Sequence, residues 1–445
     1  MNNLGSFIKN NLAVGFMLFA LFLGAGNIIF PPLLGQQAGE HLLPAIIGFL
    51  ITGVGLPLTG IVTVAKNGGD LQEVAGRIHP LFGIIFTAVV YLSIGPLFAI
   101  PRTGAVTYEI GIAPYLSEAQ AESWVPLFIS SLIYFAISLY LALNPTKLVD
   151  RIGKILTPAL LIVILLLALK SVITPMGPLQ EAQGDYITKA FSKGFVEGYL
   201  TMDVLASLVF GIVVVQSIQA KGIMDRAKQV TITIFAGIVA ALGLAFVYIS
   251  LSWIGASSPT VTGYFDEGGS VISAASKVLY GNTGSIILSL VIILACITTS
   301  VGLITANATF FSKLFPKLSY KLLVVIFTVF SFLISNFGLA KLIQITLPVL
   351  LFIYPIAIVL MFMVMFDKAW NRAPIVYTLA LIATAFVSLY DGIKGAGFSI
   401  GWYEKLVSSF PLYEQSLGWL VPAIVGLVIG WIIHLIMKSG KGAAN

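Results

Sequence analysis

The sequence predicts an all-α polytopic membrane protein of about twelve transmembrane helices, arranged as two inverted five-helix repeats followed by two further helices. Three observations carry this. The 445 residues are 58% hydrophobic and only 9% charged, with a mean hydropathy of +1.02, outside the range of soluble globular chains. Apolar runs of about twenty residues, enough to cross a bilayer as helix, recur along the whole length. The first and sixth of these runs are interrupted, and paired interruptions at equivalent places point to a repeat that an odd number of spans turns upside down.

Taken in order, the runs fall near 12–36, 42–65, 81–113, 124–144, 152–174, 191–217, 228–256, 284–311, 320–336, 340–366, 373–391 and 418–437. The repeats then occupy residues 1–175 and 176–366, and 367–445 hold the two extra helices and a tail. With the N-terminus in the cytoplasm, sixteen lysines and arginines lie in cytoplasmic segments, among them Lys66, Arg77, Lys147 and Arg226, against seven on the opposite side. That bias predicts cytoplasmic N- and C-termini. The formal charge of +6 is thereby read as loop asymmetry, with the lipid bilayer as partner and no nucleic acid. The first apolar run is too long for a signal-peptide core. Cys296, the single cysteine, excludes an intrachain disulfide and a cysteine-based metal cage. The loops 175–190 and 257–283 read as lids, links between repeats or solvated connectors, and 221–228 as a turn at the membrane surface.

The first run contains Gly24-Ala25-Gly26-Asn27-Ile28-Ile29-Phe30-Pro31-Pro32. A helix broken in lipid is tolerated only where its bare amides and carbonyls face protein, water or a ligand. A half-helix ending near Leu23 offers carbonyls suited to a cation, and one opening near Asn27 offers N–H groups suited to a carboxylate. The bland alternative is a close helix contact without ligand.

The sixth run contains Gly198-Tyr199-Leu200-Thr201-Met202-Asp203. An acid in lipid is by default a functional residue. The carbonyls around Thr201 and Met202, with Asp203, suit an ammonium group, so a zwitterionic amino acid would bridge the two breaks. Asp203 paired with Arg102, or held neutral by burial, remains the structural alternative.

In the eighth run Ala295-Cys296-Ile297-Thr298-Thr299-Ser300 places three hydroxyls in succession. Hydroxyls and carbonyls suit a hard cation, although such residues also bond back to their own helix. In the third run, Leu97 and Phe98 are candidates for an apolar pocket. Arg102 and Glu109, seven residues apart on one helical face, either form an outer gate or snorkel to the interface. Tyr354-Pro355 reads as a kink. His41, His79 and His434 have no metal-ligand spacing.

With these residues assembled, the chain resembles the bacterial branched-chain amino acid:cation symporters along essentially its whole length. The resemblance rests on Phe22 to Pro32, Phe98-Ala99-Ile100-Pro101-Arg102-Thr103, Gly198 to Asp203 and Ile353-Tyr354-Pro355. It implies the LeuT-type inverted-repeat fold and import of leucine, isoleucine and valine driven by Na+. Gly24, Ala25, Gly26, Asn27, Leu97, Phe98, Thr201, Met202, Asp203 and Ser207 would bind substrate. One sodium would be held by the carbonyls of Ala20, Leu23 and Ala295 and the hydroxyls of Thr298 and Thr299, and Asn27 would sit where some members hold a second cation. Asp203 departs from the wider group, so coupling to H+ through Asp203 is the alternative. An ion channel fits less well, since no filter motif repeats. An enzyme is not expected, because no metal cluster or nucleophile–base pair occurs in the spans, and no tightly bound cofactor is implied.

Overall fold

The computed structural model describes residues 2–121, 123–143 and 148–442. Each of the twelve expected runs is helical, and no strand occurs among the described residues. Lys147, one of the cations behind the predicted orientation, lies outside them. Eight helices are long and apolar enough to cross a membrane, nine when the interrupted sixth run is taken as one span, again among the described residues.

The helices that position the site are α1 (Asn2–Phe22), α2 (Ala25–Ala38), α3 (Leu42–Leu50), α4 (Leu56–Lys66), α5 (Ala99–Gly111), α6 (Tyr186–Glu197), α7 (Asp203–Gln219), α8 (Arg226–Ser257) and α9 (Gly268–Leu314). The break between α1 and α2 is narrower than the glycine- and proline-rich stretch suggested. Only Leu23 and Gly24 leave the helix, Gly24 being extended at φ −107°, ψ −171°, and the second half opens at Ala25 rather than near Asn27. Pro31 and Pro32 are carried inside α2. Lacking N–H, they withdraw the helical donors that would reach the Asn27 and Ile28 carbonyls, yet their fixed φ fits the helix.

The sixth run changes to a 3-10 turn at Gly198–Thr201, passes through Met202 in the left-handed region (φ 65°, ψ 14°), and restarts at Asp203. A non-glycine residue there costs roughly 1–2 kcal/mol, which the surrounding packing must offset. The third run is not the continuous helix expected. A π turn at Ser93–Leu97 interrupts it, with Gly95 non-helical at φ −99°, ψ −130°, because Pro96 has no N–H to continue the ladder. The eighth begins earlier than residue 284. α9 starts at Gly268 and carries one non-helical residue, Gly281 at φ 64°, so much of the expected loop 257–283 is helix.

The chain forms two compact units. The first is built from residues up to Val54, Tyr91–Met202 and Phe235–Ile343. Its central seam joins α2 to α8: a methyl on Gly35 would overlap the Ser252 carbonyl, and one on Gly255 the Pro32 carbonyl. Small residues let two backbones approach in the way membrane helices favour. α3 and α6 meet in the same manner, since a methyl on Gly48 would strike the Phe191 carbonyl and one on Gly194 the Ala45 carbonyl. The Thr52 hydroxyl then donates to Phe195 O at 2.9 Å. Both long loops are fastened near the C-terminal end of α2 rather than left as free connectors. Gln36 donates to Phe265 O at 2.7 Å and accepts from Phe265 N at 3.1 Å, while Gln183 N donates to Gln37 O at 2.8 Å and Glu40 N to Gln180 O at 2.9 Å.

The second unit comprises Gly55–Val90, Asp203–Ile234 and the residues from Gln344 on. Here α4 packs on α7, with Gly60 against the Ser207 hydroxyl and Gly211 against Val64. Asp367 accepts from Arg77 Nη1 at 2.6 Å and Arg372 Nε at 3.0 Å, and Arg77 also donates to Asn67 Oδ1. Arg226 donates to Lys66 O at 3.0 Å, closing the loop 221–225 over the end of α4. Pro374–Gly395 packs along Leu420–Gly442, where Gly426 faces the Leu379 carbonyl.

The α2–α8 seam is backbone against backbone, so no side-chain rotation can relieve an added methyl. Gly35→Ala is expected to lower stability by about 2 kcal/mol or more. Gly302→Ala, on a helical face with open space, should be neutral or slightly stabilising. Thermal melting of the two detergent-purified variants checks this.

Candidate transport site

The site grows out of the two-residue break between α1 and α2. Leu23 N still donates to Phe19 O at 2.9 Å, so α1 is intact to its last turn. The next donor, Gly24 N, is the one a continuous helix would give to the Ala20 carbonyl. It goes instead to Asn27 Oδ1 at 2.9 Å. Asn27 therefore caps α2 from within its first turn and withdraws a donor from α1 in the same bond. Its amide is 1% exposed, and Nδ2 donates to the Tyr248 hydroxyl on α8.

The α1 end then meets α9. The Thr299 hydroxyl lies 3.4 Å from Leu23 O, and the Thr299 methyl would stand 3.3 Å from a Cβ built on Gly24. The adjacent Thr298 hydroxyl donates to Ala295 O, about one turn earlier, at 2.8 Å. Leu23, Ala295, Thr298 and Thr299, four of the five residues expected to hold sodium, thus stand in two carbonyl–hydroxyl pairs, one of which spans the two helices. Ala20, the fifth, is half-buried in the last turn of α1.

On the far side of the break, Arg102 reaches in from α5. It is 5% exposed, which excludes snorkelling to the interface. Nη1 donates to Leu200 O at 2.5 Å and Nη2 to Thr201 O at 3.5 Å, and the guanidinium lies 5.3 Å from the centre of the Phe30 ring. Nη2 would be 2.7 Å from a Cβ on Gly26. Arg102 thus links the amino end of α2 to the 3-10 turn of the sixth run, whose carbonyls the sequence assigns to a substrate ammonium. Planar guanidinium suits this role, since it satisfies two carbonyls and stacks on an aromatic face at once.

Of the other predicted residues, Ala25 is buried at the start of α2, and Phe98 is buried at the junction preceding α5, while Leu97 keeps 36% exposure. Met202 is the left-handed hinge. Asp203 and Ser207 belong to the second unit. Asp203, 1% exposed, is the first residue of α7, at the positive end of a helix dipole. Ser207 bonds back to Val204 O at 2.6 Å and packs on Gly60. Glu109 does not accompany Arg102 at the break. It accepts from Ser270 Oγ at 2.8 Å beside Glu267, and burial together with the Glu109 carboxylate pushes Glu267 up to about 8. Among the described residues no group of three His, Cys, Asp or Glu side chains forms a metal site.

Tyr248 is the residue that sequence reasoning missed. It lies within an apolar run, in register with Ser252 and Gly255 at intervals of four and seven, which marks only a packed face.

The family model described as "Branched-chain amino acid transport protein" matches residues 8–437. The chain belongs to this family. It is 49% identical to the branched-chain amino acid permease BraB of Bacillus subtilis, over 98% of this chain and 97% of that one. Identity is 45% to the branched-chain amino acid transport system 2 carrier protein of Pseudomonas aeruginosa, over 97% and 98% of the two chains. Among solved structures it resembles MHP1, a nucleobase-cation-symport-1 family transporter in a closed conformation with bromovinylhydantoin bound, at a TM-score of 0.63 and 14% identity over 96% and 93% of the two chains. It also resembles MhsT in complex with L-phenylalanine, at 0.55 and 16% over 94% and 98%. These likenesses establish the LeuT-type fold for this family member, a multi-pass membrane protein.

Two outcomes follow from the geometry. Gly26→Ala would force its methyl against the Arg102 guanidinium, and is expected to reduce branched-chain amino acid uptake at least about tenfold while the protein still purifies as a monodisperse species. Glu267 carries the second. Burial pushes its carboxyl up to about 8, above the ordinary carboxylate value of 4.5, so between these the folded state holds a proton that the unfolded state has released. Stability contributed by the protonated carboxyl is full below about pH 4.5 and is lost as pH rises towards 8. Glu267→Gln should flatten that part of the melting temperature–pH profile.

Proposed function

We propose that this protein imports branched-chain amino acids, leucine, isoleucine and valine, in symport with sodium, by alternating access. Family membership supports the substrate class. The observation that carries the coupling reading is the Thr299 hydroxyl meeting the Leu23 carbonyl where α1 stops. A cation there would take the carbonyls of Ala20, Leu23 and Ala295 and the hydroxyls of Thr298 and Thr299, all hard oxygen donors. Those hydroxyls would turn their protons away and offer lone pairs in place of their present bonds.

The substrate carboxylate is assigned to the N–H groups at the start of α2 around Gly26 and Asn27, where the dipole and Arg102 both favour an anion. The ammonium is assigned to the Thr201 and Met202 carbonyls. The Arg102–Thr201 contact is long at 3.5 Å, so an ammonium competes readily for that oxygen. The aliphatic side chain is assigned to the apolar surface at Phe98. Residues 1–175 and 176–366 are proposed as the two inverted repeats, and 367–445 as the appended helices, in a bacterial plasma membrane with both termini in the cytoplasm.

Uptake of radiolabelled leucine into proteoliposomes tests the reading. An inward sodium gradient should drive accumulation that a choline gradient at the same pH does not, and Thr299→Val should weaken the sodium dependence. Uptake that ignores sodium but follows a proton gradient would move coupling to the buried Asp203. No leucine uptake under either gradient would remove the substrate assignment.

A further inference from the structure

The break in the first span is maintained by one amide whose orientation matters. Asn27 offers an oxygen and an NH2 group, and only the oxygen can accept from Gly24 N. In the structure the oxygen faces Gly24 at 2.9 Å, and the NH2 faces the Tyr248 hydroxyl. Were the amide turned over, an NH2 would confront the Gly24 N–H, donor against donor. The Gly24 N–H would then find its acceptor at the Ala20 carbonyl, the bond that continues α1, and that carbonyl is among the oxygens assigned to the cation.

Tyr248 is built to anchor the Asn27 side chain. Its ring is 0% exposed and packs edge-on against Phe49, with centroids 5.1 Å apart at 87°. Its Cε2 would be 3.0 Å from a Cβ on Gly53. The backbone seam of Gly35 with Ser252 and of Pro32 with Gly255 fixes the same face of α8 against α2, so the hydroxyl is delivered to Asn27 by a rigid interface. We infer that Tyr248 is a positioning residue for cation coupling: by anchoring the Asn27 side chain beside the break, where the Gly24 N–H selects its oxygen, it keeps α1 open and the Ala20 carbonyl available to sodium. This rests on the sodium-coupled reading above.

Tyr248→Phe removes the hydroxyl and keeps the ring against Phe49. Leucine uptake is measured in proteoliposomes against sodium concentration, and against leucine concentration at saturating sodium. Loss of one buried hydrogen bond should raise the half-saturating sodium concentration about tenfold, with the leucine KM at saturating sodium moved less than about twofold. Because Tyr248 acts through Asn27, adding Tyr248→Phe to Asn27→Ala should change the sodium requirement by less than about twofold.

An unchanged sodium requirement in Tyr248→Phe would overturn the inference. So would a sodium shift matched by an equal rise in leucine KM, the behaviour of a merely structural residue, or effects of the two substitutions that multiply. A wild-type curve flat in sodium would overturn the coupling reading itself, and the inference with it; wild-type dependence with an unaltered variant overturns the inference alone.

Discussion

Every polar backbone group in the membrane interior needs a partner, and this protein is organised around the place where that demand is met by side chains instead of by the helix. An unsatisfied N–H or C=O in hydrocarbon costs several kcal/mol, so a helix does not open unless something accepts its donors and its carbonyls have a use. At Leu23 and Gly24 the donor goes to Asn27 and a carbonyl goes to Thr299. Each of those partners is in turn held from elsewhere, Asn27 by Tyr248 on α8 and Thr299 by its place on α9. The seam of α2 with α8 therefore positions a hydrogen bond as well as burying apolar surface.

The sixth run solves the same problem differently. Its carbonyls at Leu200 and Thr201 accept from a guanidinium that cannot lose its charge, and a left-handed Met202 turns the chain before α7 begins. A buried arginine would be a liability if it lacked partners. Here it fastens the turn to the amino end of α2, leaving room only because residue 26 has no side chain. The two breaks are consequently linked through Arg102, and a zwitterion arriving at Gly26 would alter the balance of charge at the turn as well.

Much of the fold was legible because the bilayer sets helix length, and twelve apolar runs of suitable length leave little freedom. The two main interruptions were legible for a related reason: Gly24, Gly26 and Asn27, or an acid at 203, make poor sense within lipid unless the helix is open there. The third interruption, at Gly95 and Pro96, carries an equally visible signal, but a glycine and a proline alone do not separate a π turn from a kink. Boundaries were less accessible. Whether Pro31 and Pro32 end a helix or ride within it depends on Gly255, more than two hundred residues away, which no local pattern encodes.

The site was legible in its donors and obscure in its connections. Thr298 and Thr299 were matched to Leu23 and Ala295 through the resemblance to the symporter family, since hydroxyls alone suit a cation or a bond back to their own helix equally. Arg102 was recognisable as anomalous, yet sequence left it between a gate and an interfacial anchor, because the distinction is one of depth and of the space at Gly26. Tyr248 gave no signal at all. A tyrosine in an apolar run is an ordinary core residue until its hydroxyl is seen to meet Asn27, 221 positions earlier. The residues proposed to touch a cargo have chemistry that is out of place in lipid. Those that hold the touching residues in register have chemistry that suits the core, so only their three-dimensional partners reveal them.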